Sequence, residues 1–160
     1  MKKRLSHINI KGKAVMVDVS QKLKSLRTAE AFAKVKVSRK VFEVIKQNKI
    51  AKGDVLTVAK LAGIQAAKRT SDLIPLCHNI FISKVDVELK LNSKNNSIEI
   101  ISFASTTDVT GIEMESLTAA SVAALTVYDM CKALDKSIII TEVKLLSKTG
   151  GKCGNYVRKR

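Results

Sequence analysis

Residues 110–135, TGIEMESLTAASVAALTVYDMCKALD, constrain this chain more than any other stretch. Thr110 followed three residues later by Glu113 has the spacing of a capping box, so a helix is expected to start here. Ala119, Ala120, Ser121, Ala123 and Ala124 keep the middle of that helix slender, which lets another backbone come close. Leu117, Leu125, Tyr128 and Leu134 supply the bulk. The pattern predicts a core helix.

Its far end is chemically odd. Asp129 and Lys132 lie three apart and share a face that continues the stripe Thr118, Val122, Leu125. An Asp late in a helix opposes the macrodipole and is a poor helix former. One reading is a solvated ion pair at a helix end. The other is a carboxylate and an ammonium aimed into a site, with Glu113 and Glu115 marking the opposite end of the helix.

At 160 residues the chain is read as one domain, 1–160, long enough for a core of its own, with 1–12 and 155–160 as flexible tails. Its three cysteines are odd in number and form no CxxC, which argues against a disulfide framework or a zinc ribbon. The start, MKKRL, runs into SHINIKGK without an apolar segment, and no stretch approaches a membrane span. The expected location is the cytoplasm, without a membrane partner. A net charge of +15 calls for something anionic as partner but does not choose among nucleic acid, nucleotide and membrane surface.

Along the chain, residues 28–37 alternate small apolar with polar or bulky side chains and are read as a strand, with helix as the alternative. Ser38 is expected to cap a short helix ending near Asn48, and Asp54 a second one through about Arg69. Residues 69–79, RTSDLIPLCHN, are read as a loop with more apolar residues than a surface loop needs. Residues 84–91 alternate cleanly and, across the polar turn NSKNN, form a hairpin with 97–104. A last strand is expected over 137–146. The order reduces to βαββαβ with an extra helix, which predicts an α+β, ferredoxin-like sandwich with helices on one face of an antiparallel sheet.

The tail KTGGKCG, 148–154, could cradle phosphate, its glycines letting backbone N–H groups converge while Lys148 and Lys152 supply charge. It lacks the spacing of a P-loop, and a mobile basic tail is the competing reading. His78 beside Cys77 is a poor metal site, since adjacent residues rarely reach one ion, but a reasonable general acid or base. Lys68 and Arg69 are explained equally well as favourable charges at a helix C-terminus.

Four segments taken together are distinctive: MVDVS (16–20), KGDVLTVAKLAGIQAAKRTSDLIPLCH (52–78), TGIEMESLTAASVAALTVYDMCKA (110–133) and LLSKTGGKCG (145–154). In order and over nearly the whole length, they closely resemble the MoaC family, the cyclic pyranopterin monophosphate synthases of molybdenum cofactor biosynthesis. The resemblance implies a ferredoxin-like subunit in a homohexamer, a trimer of dimers, with sites at subunit interfaces. It implies a cyclised GTP-derived substrate, 3′,8-cyclo-7,8-dihydroguanosine 5′-triphosphate, made by an upstream radical enzyme. The product is cyclic pyranopterin monophosphate and diphosphate is released; no cofactor or metal is implied. By motif, Asp129 is the acid/base candidate with Lys132 beside it, and Lys52, His78 and Lys148 complete the catalytic set. Leu76, Cys77, His78, Met114 and Glu115 fall where the family contacts substrate, and Arg27, Glu113 and Lys152 at polar positions around it. Val109 stands where the family often has a basic residue, and Asn79 where proline is usual.

The competing class is a basic ferredoxin-like nucleic-acid-binding module, because βαββαβ is also the order of the RRM. Against it, residues 97–104 lack the basic, glycine and aromatic pattern of such a module, and only 4% of the chain is aromatic. A noncatalytic scaffold would leave Asp129 unexplained.

Overall fold

The alternation over 28–37 does form a strand: in the computed structural model, which describes residues 12–152 and 154–159, β1 runs Ser25–Lys36. Ala29, Ala31, Ala33 and Val35 are fully buried on one face, which a helix could not achieve with this spacing. Helices α1 (Arg39–Lys46) and α2 (Val55–Ala67) follow. Both start where expected. The Ser38 hydroxyl accepts from Val41 N, and the Asp54 carboxylate accepts from Leu56 N and Thr57 N. A four-residue turn of helix, α3 (Thr70–Leu73), then interrupts the stretch read as loop.

The hairpin is β2 (Lys84–Asn92) and β3 (Ser97–Asp108), followed by α4 (Glu113–Cys131), β4 (Ile139–Thr149) and the two-residue β5 (Tyr156–Val157). Strand order is β2-β3-β1-β4-β5, with every pairing antiparallel. This is the ferredoxin-like α+β arrangement, with α2 and α4 packed on one face of the sheet. Within 155–160, read as tail, Tyr156 and Val157 pair with Lys148 and Ser147 of β4. The expectation for residues 1–11 lies outside the described residues.

Several boundaries differ from the sequence reading, β4 among them, which ends at Thr149 and not at 146, and two of the differences have identifiable reasons. β3 continues past 104 through Ser105, Thr106 and Thr107, which carry no apolar alternation but pair with β1 as far as Asp108 opposite Ser25. Thr106 is buried and donates its hydroxyl to Phe81 O at 2.6 Å, so a polar residue occupies an inward position with its bond made. At α4 the capping box does not form. The helix begins at Glu113 itself, Ile112 occupies the cap position, and no side chain caps it. The Glu113 carboxylate is spent elsewhere, on Lys148.

The slender middle of α4 does what its composition predicts. Ala119, Ala120, Ala123 and Ala124 are fully buried, and α2 meets them through Gly63, whose place has no room for a methyl group: a Cβ there would lie 2.8 Å from Ala119 O. The antiparallel α2–α4 pair therefore runs from one end of the sheet to the other. Asp129 and Glu113 sit at opposite ends, roughly 24 Å apart along the axis at ~1.5 Å per residue.

Candidate functional site

At the end of the sheet where β1 and α4 begin and β3 and β4 finish, a cavity of about 430 Å³ opens. The three residues after α3 and Pro75, namely Leu76, Cys77 and His78, form one wall, and the first turn of α4 (Glu113, Met114, Glu115) forms another. Val17, Val19 and Lys22 close it from the N-terminal segment. Glu115 is the unusual group here. Its side chain is only 4% exposed, and burial, with the Glu113 charge adding to it, pushes its carboxyl up to about 7. Burial also raises the Cys77 thiol, and Glu115 raises it further.

A second, smaller chamber of about 170 Å³ adjoins the first. Its walls are basic and glycine-rich: Lys22, Arg27, Lys148 and Lys152, with Gly150 and Gly151 in left-handed backbone conformations. Lys22, Lys152, Thr110, Gly111 and Glu113 line both chambers. Arg27 is pinned rather than mobile, since its Nε donates to Asp108 O at 2.9 Å and its Nη2 to Val109 O at 3.1 Å. Its Nη1 lies where a side chain on Gly151 would begin, 2.5 Å from a Cβ placed there. At Val109, the departure from the family pattern, the backbone carbonyl thus still serves to hold a guanidinium.

The remaining candidates form a separate cluster. Asp129 accepts from Lys132 Nζ at 2.6 Å through Oδ1 and from Lys52 Nζ at 2.9 Å through Oδ2. Lys52 also donates to the Asp129 carbonyl at 3.0 Å. The two ammoniums, Lys132 foremost, hold the Asp129 carboxyl down at about 2, and Asp129 in turn raises Lys132. All three side chains are about half exposed. Cys131, next to them, is buried and its thiol is pushed up to about 11.

Of the predicted site residues, then, Leu76, Cys77, His78, Glu113, Met114, Glu115, Arg27, Lys148 and Lys152 come together at one end. Asp129, Lys132 and Lys52 meet at the other. Lys22 and Gly111 are not singled out in the sequence. Lys22 sits in a stretch without periodicity, and only the MVDVS segment just before it carried a signal. Among the described residues, no group of three His, Cys, Asp or Glu side chains is placed to hold a metal ion.

A family model described as the MoaC family matches residues 16–151. The chain belongs to the MoaC family. Its relatives include a Heliobacterium modesticaldum protein named cyclic pyranopterin monophosphate synthase, 53% identical over 155 residues, covering 97% of this chain and 98% of that protein. A Peptoclostridium acidaminophilum protein of the same name is 54% identical over 154 residues, 96% of this chain and 97% of that one. An Arabidopsis thaliana protein named as the mitochondrial synthase is 56% identical over 155 residues, 97% of this chain but 57% of its own length.

The nucleic-acid reading finds no support in this MoaC chain. On the sheet face away from the helices, Phe32 and Phe103 lie on β1 and β3, but each ring is already covered by an ammonium, Lys144 at 5.0 Å and Lys84 at 5.7 Å. Among the described residues, no helix is long and apolar enough to cross a membrane.

Proposed function

We propose that this chain converts 3′,8-cyclo-7,8-dihydroguanosine 5′-triphosphate to cyclic pyranopterin monophosphate and diphosphate, as a cyclic pyranopterin monophosphate synthase of molybdenum cofactor biosynthesis. One observation carries the reading beyond the family match. A chamber with a buried carboxylate at its wall shares five lining residues with a chamber lined by Lys22, Arg27, Lys148 and Lys152. A substrate made of a guanine-derived base and a triphosphate has those two halves at that adjacency.

In this reading, ionised Glu115 accepts the ring N–H and amino donors of the base, and the charge-assisted bonds repay its desolvation. Leu76, Cys77 and Met114 wall the base, and His78 stands beside it as an acid or base. The four cations and the backbone of Gly150 and Gly151 take the polyphosphate. Ring opening and reclosure need proton transfers as well. Asp129, Lys52 and Lys132 are suited to these, but in one subunit they lie some 24 Å from the chambers at ~1.5 Å per residue of α4. The site is therefore completed by a neighbouring subunit in a closed homohexamer, a trimer of dimers. Exposed Val58 and Leu61 on α2, and Leu125 one turn before Asp129 on α4, are apolar side chains available for that contact. Cys77 and Cys131 are free thiols, which suits a reducing, cytoplasmic setting.

The test is incubation of the purified protein with the cyclised nucleotide. Diphosphate should appear in step with the pterin product, and none should appear from GTP. Turnover of neither nucleotide by a folded, assembled protein would overturn the assignment.

A further inference from the structure

We propose that Glu113 is a built-in competitor for Lys148, holding that cation whenever the basic chamber is empty, and that Gly111 is the positioning residue that lets it do so. The proposal rests on the reading of this chamber as a polyphosphate site. It adds a device that sets how tightly the chamber grips an anion and how readily the released diphosphate leaves.

Three observations converge. Glu113 opens α4 without being capped or acting as a cap, and its Oε1 lies 3.3 Å from Lys148 Nζ. The two side chains are 28% and 22% exposed, so the pair is partly withdrawn from water. Glu113 also lines both chambers. Finally, Gly111 has no left-handed backbone to explain it, but a Cβ there would lie 1.8 Å from Glu113 Oε2 and 2.7 Å from its Cδ. Any side chain at position 111 evicts the carboxylate from this place. Gly111 is thus needed for space and not for conformation.

The consequence is physical competition. Lys148 is a compact point charge, and a phosphate oxygen and the Glu113 carboxylate ask for the same ammonium. An entering polyphosphate must displace the carboxylate, and a departing diphosphate leaves while the carboxylate returns. The cation is never stranded.

Inorganic diphosphate is the probe, titrated calorimetrically into the full-length protein. Glu113→Gln should bind it about two- to fivefold more tightly, the factor for the worth of a partly exposed ion pair. Removing a negative charge could by itself do the same, so two comparisons separate the causes. In a Lys148→Ala background the gain from Glu113→Gln should vanish, whereas a general charge effect would persist in full and overturn the proposal. Gly111→Ala and Glu113→Asp keep the charge but take the carboxylate off Lys148; both should tighten diphosphate binding and make it a stronger inhibitor of turnover. Unchanged affinity in a folded Glu113→Asp protein would overturn the competition. Unchanged affinity in Gly111→Ala, or its failure to fold, would assign Gly111 to the architecture and overturn its positioning role. Should the unaltered protein not bind diphosphate at all, the polyphosphate reading fails first, an outcome distinct from an additive Glu113–Lys148 cycle.

Discussion

Both oxygens of Asp129 are taken by ammonium groups of its own chain, Oδ2 by Lys52 and Oδ1 by Lys132. A carboxyl held down at about 2 is a weak proton acceptor at neutral pH, and within the subunit Asp129 holds two lysines in place. It would gain basicity if a reacting group drew one lysine away. Asp129→Asn keeps the volume and removes the titrating oxygen. Its turnover of the cyclised nucleotide should fall by about 10²- to 10⁴-fold, the range for a positioned acid or base. Melting temperature and oligomeric state at neutral pH should barely move, because the group is exposed to solvent. Near-normal turnover would reduce Asp129 to an ion pair at a helix end.

Glu115 gives the opposite pH signature. Burial raises its carboxyl from the ordinary 4.5 to about 7, so the folded state holds its proton more tightly than the unfolded chain does. The stability this contributes is complete below about pH 4.5 and is lost as pH rises through about 7. For a shift of this size the loss is on the order of 3 kcal/mol at about 1.36 kcal/mol per unit. Melting curves of the unaltered protein and of Glu115→Gln, followed from about pH 5 to about pH 8, should therefore converge or cross in the glutamine variant's favour. If ionised Glu115 receives the base, kcat/KM should climb through the same window and lose that limb in Glu115→Gln. Parallel melting curves would mean that the carboxylate finds a cation in the assembled protein.

These contrasts show which parts of the molecule could be read from residue order. Periodicity is local, so β1, the β2–β3 hairpin and the Ser38 and Asp54 caps were legible. The ends of β3 and β4 were not, because Ser105, Thr106, Thr107 and Thr149 are held by pairing with β1 and not by an apolar pattern. The Thr110–Glu113 spacing fits a capping box, but Lys148, distant in sequence, takes the carboxylate instead. The candidate site was legible through motifs and as single residues. Its partition into two clusters at opposite ends of α4 was not, because that depends on the antiparallel course of α2 and α4. The Lys52–Asp129 contact arises in the same way: Lys52 precedes α2 and so meets the end of α4.

The packing that fixes this course can be tested at Gly63. Alanine would be the better helix former by about 1 kcal/mol, and on propensity alone Gly63→Ala should stabilise α2. Its methyl group, however, would meet Ala119 O at 2.8 Å, Val87 Cγ2 at 3.1 Å and Ala123 Cβ at 3.3 Å. The first of these is backbone and cannot swing away, so overpacking of about 1–3 kcal/mol should win. The net expectation is a melting temperature lower by about 3 °C, at ~2–4 °C per kcal/mol for a chain of this size. An increase would show that α2 and α4 can separate freely.

The distance between the two clusters makes a sharper prediction about assembly. If a working site combines the chambers of one subunit with Asp129, Lys52 and Lys132 of another, two inactive variants can rescue each other only when their lesions lie in different clusters. Asp129→Asn mixed with His78→Ala or Lys148→Ala should regain activity after subunit exchange, because some interfaces then carry both lesions and others carry none. Asp129→Asn mixed with Lys52→Ala should stay inactive, since those side chains touch within one chain and every site keeps one lesion. The mixtures are made with mass-tagged subunits, so that exchange is measured independently of turnover. With random mixing of equal amounts, about a quarter of the sites should be intact, namely those that draw the chambers from the Asp129→Asn subunit and the Asp129 cluster from the other variant. Rescue by the Lys52→Ala partner, or no rescue by either chamber variant once exchange is verified, would dissolve the shared site. Asp129 would then have to act at its own end of α4, far from the buried carboxylate and the cations.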